Sequence, residues 1–142
     1  MRYLVILVTV AVLLTACSQK GPIGGDSPEH LQTLFEKYYH DNDIKNMQRL
    51  YNTEGVQSYV LDLEEKKLKS MFKRELTGSK IEELNDEARA FFNQGVQAQG
   101  QTIAFNLEIL GQLMTNYTGN RADTLLYGMK EGRYYFALQI QK

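Results

Sequence analysis

The sequence predicts an α+β domain in which N-terminal helices pack on a C-terminal antiparallel β-meander. Two observations lead to this prediction. Apolar residues recur every three or four positions between residues 28 and 96, the period of a helix with one buried face. From Thr102 onward they alternate with polar residues, as in half-buried strands, and turn residues interrupt them at 118–120 and 131–132. Helices followed by consecutive strands are typical of the α+β class, with the helices covering one face of the sheet.

The first two helices carry clear start signals. Ser27 followed by Pro28 suits an N-cap and a first helical residue, and Asp43 is placed to cap the second helix after the break at 41–43. The predicted buried stripe of the first helix is Leu31, Leu34, Phe35, Tyr38 and Tyr39, and that of the second is Ile44, Met47, Leu50 and Tyr51.

The segment 56–76 supports two interpretations. Its first half alternates as a strand would, whereas Val60, Leu68 and Met71 have helical spacing. We favour a helix over residues 62–75, with the charged residues inside it forming a solvated face.

Ser79 and Glu82 have the S-x-x-E form of a capping box, in which each side chain accepts a hydrogen bond from the backbone of the other residue. This predicts a further helix that extends to about residue 96. Its predicted buried stripe is Ile81, Leu84, Ala88, Phe91 and Phe92.

Three strands are predicted after that helix. The first is long, covers 102–113, and contains Gly111 as a bulge or as a site where another chain segment approaches closely. The second covers 122–130 and the third 133–141, joined by a tight turn at Glu131-Gly132.

The N-terminus has the profile of an export signal. Arg2 precedes an apolar run over residues 3–14, which is too short for a membrane-spanning helix and typical of a signal peptide. The run leads into Leu14-Thr15-Ala16-Cys17, which closely resembles the lipobox of bacterial lipoproteins. The resemblance implies cleavage between Ala16 and Cys17, with diacylglyceryl and palmitate-type acyl chains on Cys17, the only cysteine. The alternative is an ordinary signal peptide cut near Ala16, which would leave a free thiol.

These features divide the chain into three parts. Residues 1–16 form the signal peptide, 17–26 the lipidated cysteine and a flexible glycine-rich tether, and 27–142 a single domain. We expect the protein to be bound to the membrane of a bacterial cell envelope through the lipid on Cys17, because two or more chains suffice for stable anchoring. In bacterial lipoproteins, an Asp directly after the lipidated cysteine favours retention at the inner membrane. This chain has Ser18 at that position, so the resemblance implies the periplasmic face of the outer membrane where the host has one.

The domain also resembles the NTF2-like superfamily, and within it small envelope lipoproteins with a lumazine-binding-like domain. The resemblance lies in "LFEKYYHDNDIKNMQRLYNTEGV" at 34–56, and in "LEILGQ" at 107–112 together with "GNRADTLLYGMKEGRYYFALQI" at 119–140. It implies an NTF2-like, cystatin-like cone made of a curled sheet that wraps around the helices.

Composition and motifs exclude several functions. The formal net charge is −1, whereas nucleic-acid binding rests on clustered Lys and Arg, so we expect no nucleic-acid partner. Cys17 is assigned to lipid, and His30 and His40 lie at opposite ends of one helix, so we expect no metal site. The sequence contains no P-loop, dinucleotide fingerprint or nucleophile elbow, so we expect no cofactor.

The leading functional hypothesis is a non-enzymatic module that binds an envelope protein partner or a small ligand. Tyrosines combine an apolar ring with a polar tip and suit recognition surfaces, and the chain has nine of them. The candidate ligand or partner surface comprises Tyr39, Asp43, Tyr127, Arg133 and Tyr135.

Two alternatives remain open. An NTF2-like enzyme would use an acid/base pair drawn from Asp41, Asp43 and Asp123 with Tyr39, Tyr59 and Tyr127. A purely structural envelope lipoprotein would have no pocket. A polar, convergent pocket favours the enzyme, and a mainly apolar pocket favours the binding module.

Overall fold

The computed structural model describes residues 21–141 of the chain. The helices are α1 (Pro28–His40), α2 (Ile44–Gln48), α3 (Ser58–Met71) and α4 (Asp86–Asn93). The strands are β1 (Leu76–Glu83), β2 (Val96–Ala98), β3 (Gln101–Phe105), β4 (Ile109–Tyr117), β5 (Arg121–Lys130), β6 (Arg133–Phe136) and β7 (Gln139–Gln141). Three helices followed by a mainly antiparallel β region confirm the predicted α+β class. The predicted signal peptide and Cys17 lie outside the described residues.

The strands form a curled surface. One antiparallel sheet has the order β1-β4-β5-β6, and a second has the order β2-β3-β7. The chain from 133 to 141 belongs to both, because β6 pairs with β5 and β7 pairs with β3. The bend between β6 and β7 is held by a hydrogen bond from the Ala137 N–H to the Leu126 oxygen at 2.9 Å. The surface therefore wraps into a half-barrel.

The hydrophobic core lies between α1 and the inner face of the four-stranded sheet. Leu31 and Phe35 of α1 are completely buried, and the Phe35 ring meets that of Phe136 edge to face with centroids 5.9 Å apart. Each such side chain contributes about 1.5–3 kcal/mol through burial. The buried stripe predicted for the first helix is confirmed, with Leu34 and Tyr38 packed at its margin.

The predicted N-caps are also confirmed. The Ser27 hydroxyl accepts from the His30 N–H at 3.1 Å, and the Asp43 carboxylate accepts from the Asn46 N–H at 3.0 Å. A helix is confirmed here, but α3 begins at Ser58 and ends at Met71 rather than covering 62–75, and the strand interpretation of its first half is wrong. Among the helices within residues 21–141, none has the length and apolar content needed to cross a membrane.

The helix predicted to start at Ser79 is wrong in its first part. Residues 79–82 lie in β1, where Ser79 pairs with Thr115 and Ile81 with Leu113. The backbone groups of this segment find partners in β4, and Ile81 packs against the core from within the sheet. The helix starts only at α4, after Asn85, whose side chain accepts from the Ala88 N–H at 2.9 Å.

The long strand predicted over 102–113 is two strands. β3 belongs to the second sheet and β4 to the first, with Asn106 between them. The Asn106 N–H donates to the Leu138 oxygen at 3.0 Å, and its side chain accepts from the Leu138 N–H at 2.9 Å. These two hydrogen bonds also divide the predicted strand 133–141 into β6 and β7, because Leu138 lies at the bend between them. The prediction for Gly111 is confirmed: the register shifts between Ile109 and Gly111.

Residues 21–26, which we call the docked segment, were predicted to belong to a flexible tether. The Gly25 N–H donates to the Tyr134 oxygen at 2.7 Å, and the Tyr134 N–H donates to the Gly25 oxygen at 2.8 Å. The Ile23 N–H donates to the Arg49 oxygen at 2.8 Å. The tether prediction is therefore wrong for this part of the chain, because the segment extends the free edge of β6.

Arg133 holds the docked segment from the side. Its guanidinium donates to the Ile23 oxygen at 2.5 Å, to the Gly24 oxygen at 3.1 Å and to the Asp26 carboxylate at 2.6 Å. Gly24 is buried, and the ring of Tyr135 lies against it. The structured domain thus begins before Ser27.

Candidate functional site

A cleft of about 610 Å³ lies between α3 and the curled sheet. We call it the α3 cleft. Its walls are mainly apolar, and they are built from Tyr59, Val60 and Leu63 of α3, Phe92 of α4, Ile103 and Phe105 of β3, Leu125 and Leu126 of β5, and Leu138 and Ile140 at the C-terminal end. The cleft exists because side chains of α3 face the curled sheet near the β6–β7 bend without filling the space between them.

The rim of the α3 cleft exposes apolar side chains. Tyr59 and Leu63 lie one helical turn apart on α3, and they are 46% and 58% exposed. Phe92 extends the apolar wall toward Phe105, with ring centroids 6.0 Å apart. Large apolar side chains that remain exposed beside a cavity are typical of a site that covers them when occupied.

Two polar atoms lie buried at the base of the cleft. Tyr51 is only 3% exposed, and its hydroxyl has no partner with full hydrogen-bond geometry within residues 21–141. The same holds for Oε1 of Glu64, which is also buried. Both atoms therefore keep hydrogen-bonding capacity that a ligand can use.

The phenol of Tyr51 is neutral. Burial raises its pKa well above the ordinary value, and the nearby carboxylates of Glu64 and Asp123 raise the pKa further. Glu64 is thus close enough to act on Tyr51 both electrostatically and as an acceptor for its O–H, and the carboxylate keeps further lone pairs for other donors. A neutral phenol can donate one hydrogen bond and accept another.

An ion pair crosses from α3 to the sheet near the cleft. The Lys67 ammonium lies 3.5 Å from the Asp123 carboxylate of β5, and Lys67 lines the cleft. Both side chains are partly exposed, and such pairs contribute at most about 1 kcal/mol. Lys67 is therefore already engaged, and Glu64 forms no ion pair within the described part of the chain.

The predicted recognition surface is wrong for two of its tyrosines. Tyr39 is 6% exposed, and its hydroxyl donates to the backbone oxygens of Met71 and Arg74, the latter at 2.8 Å. Tyr127 is 1% exposed and faces the core, with its hydroxyl 3.4 Å from the Glu82 oxygen. Burial raises the pKa of both phenols to about 12. Both side chains have a structural role.

The other three residues predicted for this surface also have intramolecular partners. Asp43 caps α2, and hydrogen bonds from the backbone and side chain of Asn46 hold its pKa below the usual value. Arg133 holds the docked segment, and Tyr135 packs on Gly24. Asp41, which the acid/base alternative also named, is paired with Lys37 at 2.5 Å.

The residues that the structure brings to the cleft base, Tyr51 and Glu64, were not predicted. Tyr51 was placed among core residues and Glu64 on a solvated helix face. One signal was present: Val60, Glu64 and Leu68 follow one another at intervals of four on the same face of α3. An acidic residue inside an apolar helix stripe indicates a carboxylate that faces the interior of the fold instead of solvent.

Residues 21–141 contain no group of three or more His, Cys, Asp or Glu side chains arranged to hold a metal ion. No family model, curated protein or solved structure matches the chain. The chemistry of the site therefore rests on its own geometry, which is an apolar cleft with a carboxylate and a neutral phenol at its base.

Proposed function

We propose that this protein is a lipid-anchored protein of the bacterial envelope whose domain binds a small amphiphilic ligand in the α3 cleft. The observation that carries the proposal is the combination of apolar walls with two buried, unpartnered polar atoms. A ligand that covers the rim buries apolar surface, and it can form hydrogen bonds with both polar atoms at the base. The volume of about 610 Å³ falls within the range of small-molecule sites.

The cleft favours a binding module over the two alternatives. A purely structural lipoprotein needs no such cavity. An enzyme of the predicted kind would use a polar, convergent pocket, whereas most side chains lining this cleft are apolar. The anchor rests on the lipobox resemblance of Leu14-Thr15-Ala16-Cys17, and the expected location is the periplasmic face of the outer membrane.

Ligand binding can be measured with N-phenyl-1-naphthylamine, a mainly apolar dye that fluoresces in apolar sites. We expect a chain beginning at Gly21, with its folding checked by circular dichroism, to bind the dye. Leu63→Glu places a charge at the rim, and it should weaken binding about tenfold, which corresponds to about 1.4 kcal/mol. Leu63 is 58% exposed, so the substitution should leave the fold intact.

The matched control is Met129→Glu. Met129 is 48% exposed and does not line the cleft, so dye affinity should be unchanged. Absence of dye binding by the parent chain, or equal loss in both variants, would contradict a ligand site in the α3 cleft.

The anchor is tested separately in a bacterial host with two membranes. Cys17→Ala should abolish incorporation of an alkyne-labelled palmitate, because it removes the only cysteine. Ser18→Ala keeps the acceptor thiol and serves as the control, with labelling retained. Equal labelling of Cys17→Ala and the parent protein would rule out lipidation at this position.

A further inference from the structure

The base of the α3 cleft also specifies the chemistry of the ligand, an inference that rests on the proposed function. We infer that the ligand is an alkylamine-type amphiphile, with an apolar body along the cleft and a protonated amine at Glu64 and Tyr51. The Glu64 carboxylate and the Tyr51 hydroxyl accept hydrogen bonds from the amine.

The unpartnered atoms determine the head group. Oε1 of Glu64 is a carboxylate oxygen, which only accepts, and Oη of Tyr51 can accept as well as donate. A protonated primary amine has three N–H donors and can donate to both atoms together. Hydrogen bonds between an ammonium and a carboxylate are roughly twice as strong as neutral ones.

The charges around the cleft base select against other head groups. The charged side chains near it are Glu64, Asp123 and Lys67, and Lys67 is paired with Asp123. Two further carboxylates, Asp62 and Glu65, line a second cavity that Glu64 and Tyr51 also border. A carboxylate ligand would add a negative charge beside Glu64, where burial strengthens repulsion. A neutral hydroxyl can donate to Glu64 and accept from Tyr51, but it lacks the positive charge that strengthens the bond to the carboxylate.

The position of the base relative to the walls determines the rest of the ligand. Val60 lies one helical turn before Glu64 on the same face of α3 and also lines the cleft, so the polar base continues into the apolar wall. Phe105 and Ile140 line the cleft from the sheet side. A head group at Glu64 therefore places the attached chain between α3 and the sheet, with Tyr59 and Leu63 covering it at the rim.

The test compares three probes with the same six-carbon chain: hexylamine, hexan-1-ol and hexanoate. Full-length lipoprotein in phosphatidylcholine nanodiscs is equilibrated by dialysis with each labelled probe, and empty nanodiscs provide the blank. We expect hexylamine to bind about tenfold more tightly than hexan-1-ol, and hexanoate to bind most weakly.

Variants assign the preference to the cleft base. Glu64→Gln preserves shape and removes the charge, so it should weaken hexylamine binding about tenfold and leave hexan-1-ol within about twofold. Glu75→Gln is the control, because Glu75 is exposed and lies outside the cleft, and it should change neither affinity. Tyr51→Phe should weaken hexylamine binding by a smaller factor.

The outcomes separate the two proposals. If no probe binds above the blank, the ligand-binding function itself fails, and this inference with it. If hexan-1-ol or hexanoate binds as tightly as hexylamine, or if Glu64→Gln leaves hexylamine binding unchanged, the amine head group is wrong while the cleft remains a ligand site.

Discussion

Tyr127→Ser is expected to lower the free energy of unfolding by about 3–5 kcal/mol, the range found when a buried aromatic side chain is truncated. Tyr127 is 1% exposed on the inner face of β5, and its ring meets that of Tyr134 with centroids 6.2 Å apart. The substitution removes this packing and leaves a cavity beneath α1 that the surrounding strands cannot fill. Urea denaturation followed by circular dichroism measures the loss.

The same substitution at an exposed tyrosine provides the control. Tyr59 is 46% exposed on α3, and Tyr59→Ser should change the free energy of unfolding by about 0.5 kcal/mol or less. Equal destabilisation by both substitutions, or a loss below about 1 kcal/mol for Tyr127→Ser, would show that Tyr127 is not a core residue.

Gly111→Ala is expected to destabilise the protein by about 3 kcal/mol, at the upper end of the range for overpacking. A Cβ atom at this position would lie under 3.0 Å from the Tyr127 hydroxyl and from the Glu82 backbone oxygen. The tyrosine could move only by disturbing the core. The oxygen belongs to β1, which is hydrogen-bonded to β4 at this point.

Gly78→Ala is the matched control for this prediction. Gly78 lies in β1, and an added Cβ there would have no atom within 4 Å. Its effect on the free energy of unfolding should stay within about 0.5 kcal/mol. A similar small effect of Gly111→Ala in urea denaturation would mean that β1, β4 and Tyr127 are not packed as closely as described.

Features that depend on neighbouring residues were predicted correctly. The caps at Ser27 and Asp43 and the buried stripe of α1 follow from side chains a few residues apart, so the sequence contains all the information needed. The turn at Glu131-Gly132 is confirmed for the same reason, since both residues have positive φ, 50° and 76°.

Features that depend on distant segments were not predictable. Ser79 and Glu82 match a capping box, but pairing with β4 places them in a strand. The glycine-rich docked segment has the composition of a flexible tether, yet it is held by Arg133, more than a hundred residues away in the sequence. Tyr127 was assigned to a surface because alternation alone does not tell which side of a strand faces the helices.

The candidate site likewise combines one feature that is visible locally in the sequence with others that depend on distant segments. Glu64 was visible as an acidic residue in an apolar stripe, but its neighbour Tyr51 comes from the segment between α2 and α3. The cleft between them and the sheet depends on the β6–β7 bend, which in turn depends on Asn106 and Leu138. No local pattern specifies such a bend.

The docked segment determines how far the domain can move from the bilayer. The Gly21 oxygen accepts from the Arg49 guanidinium at 3.0 Å, so a point held by the domain lies four residues after Cys17. Four residues span at most about 14 Å when fully extended. With Cys17 acylated as proposed, the domain diffuses laterally with the membrane and stays within a thin layer above the headgroups. Amphiphiles that partition into that bilayer would therefore meet the cleft at a far higher local concentration than in bulk solution.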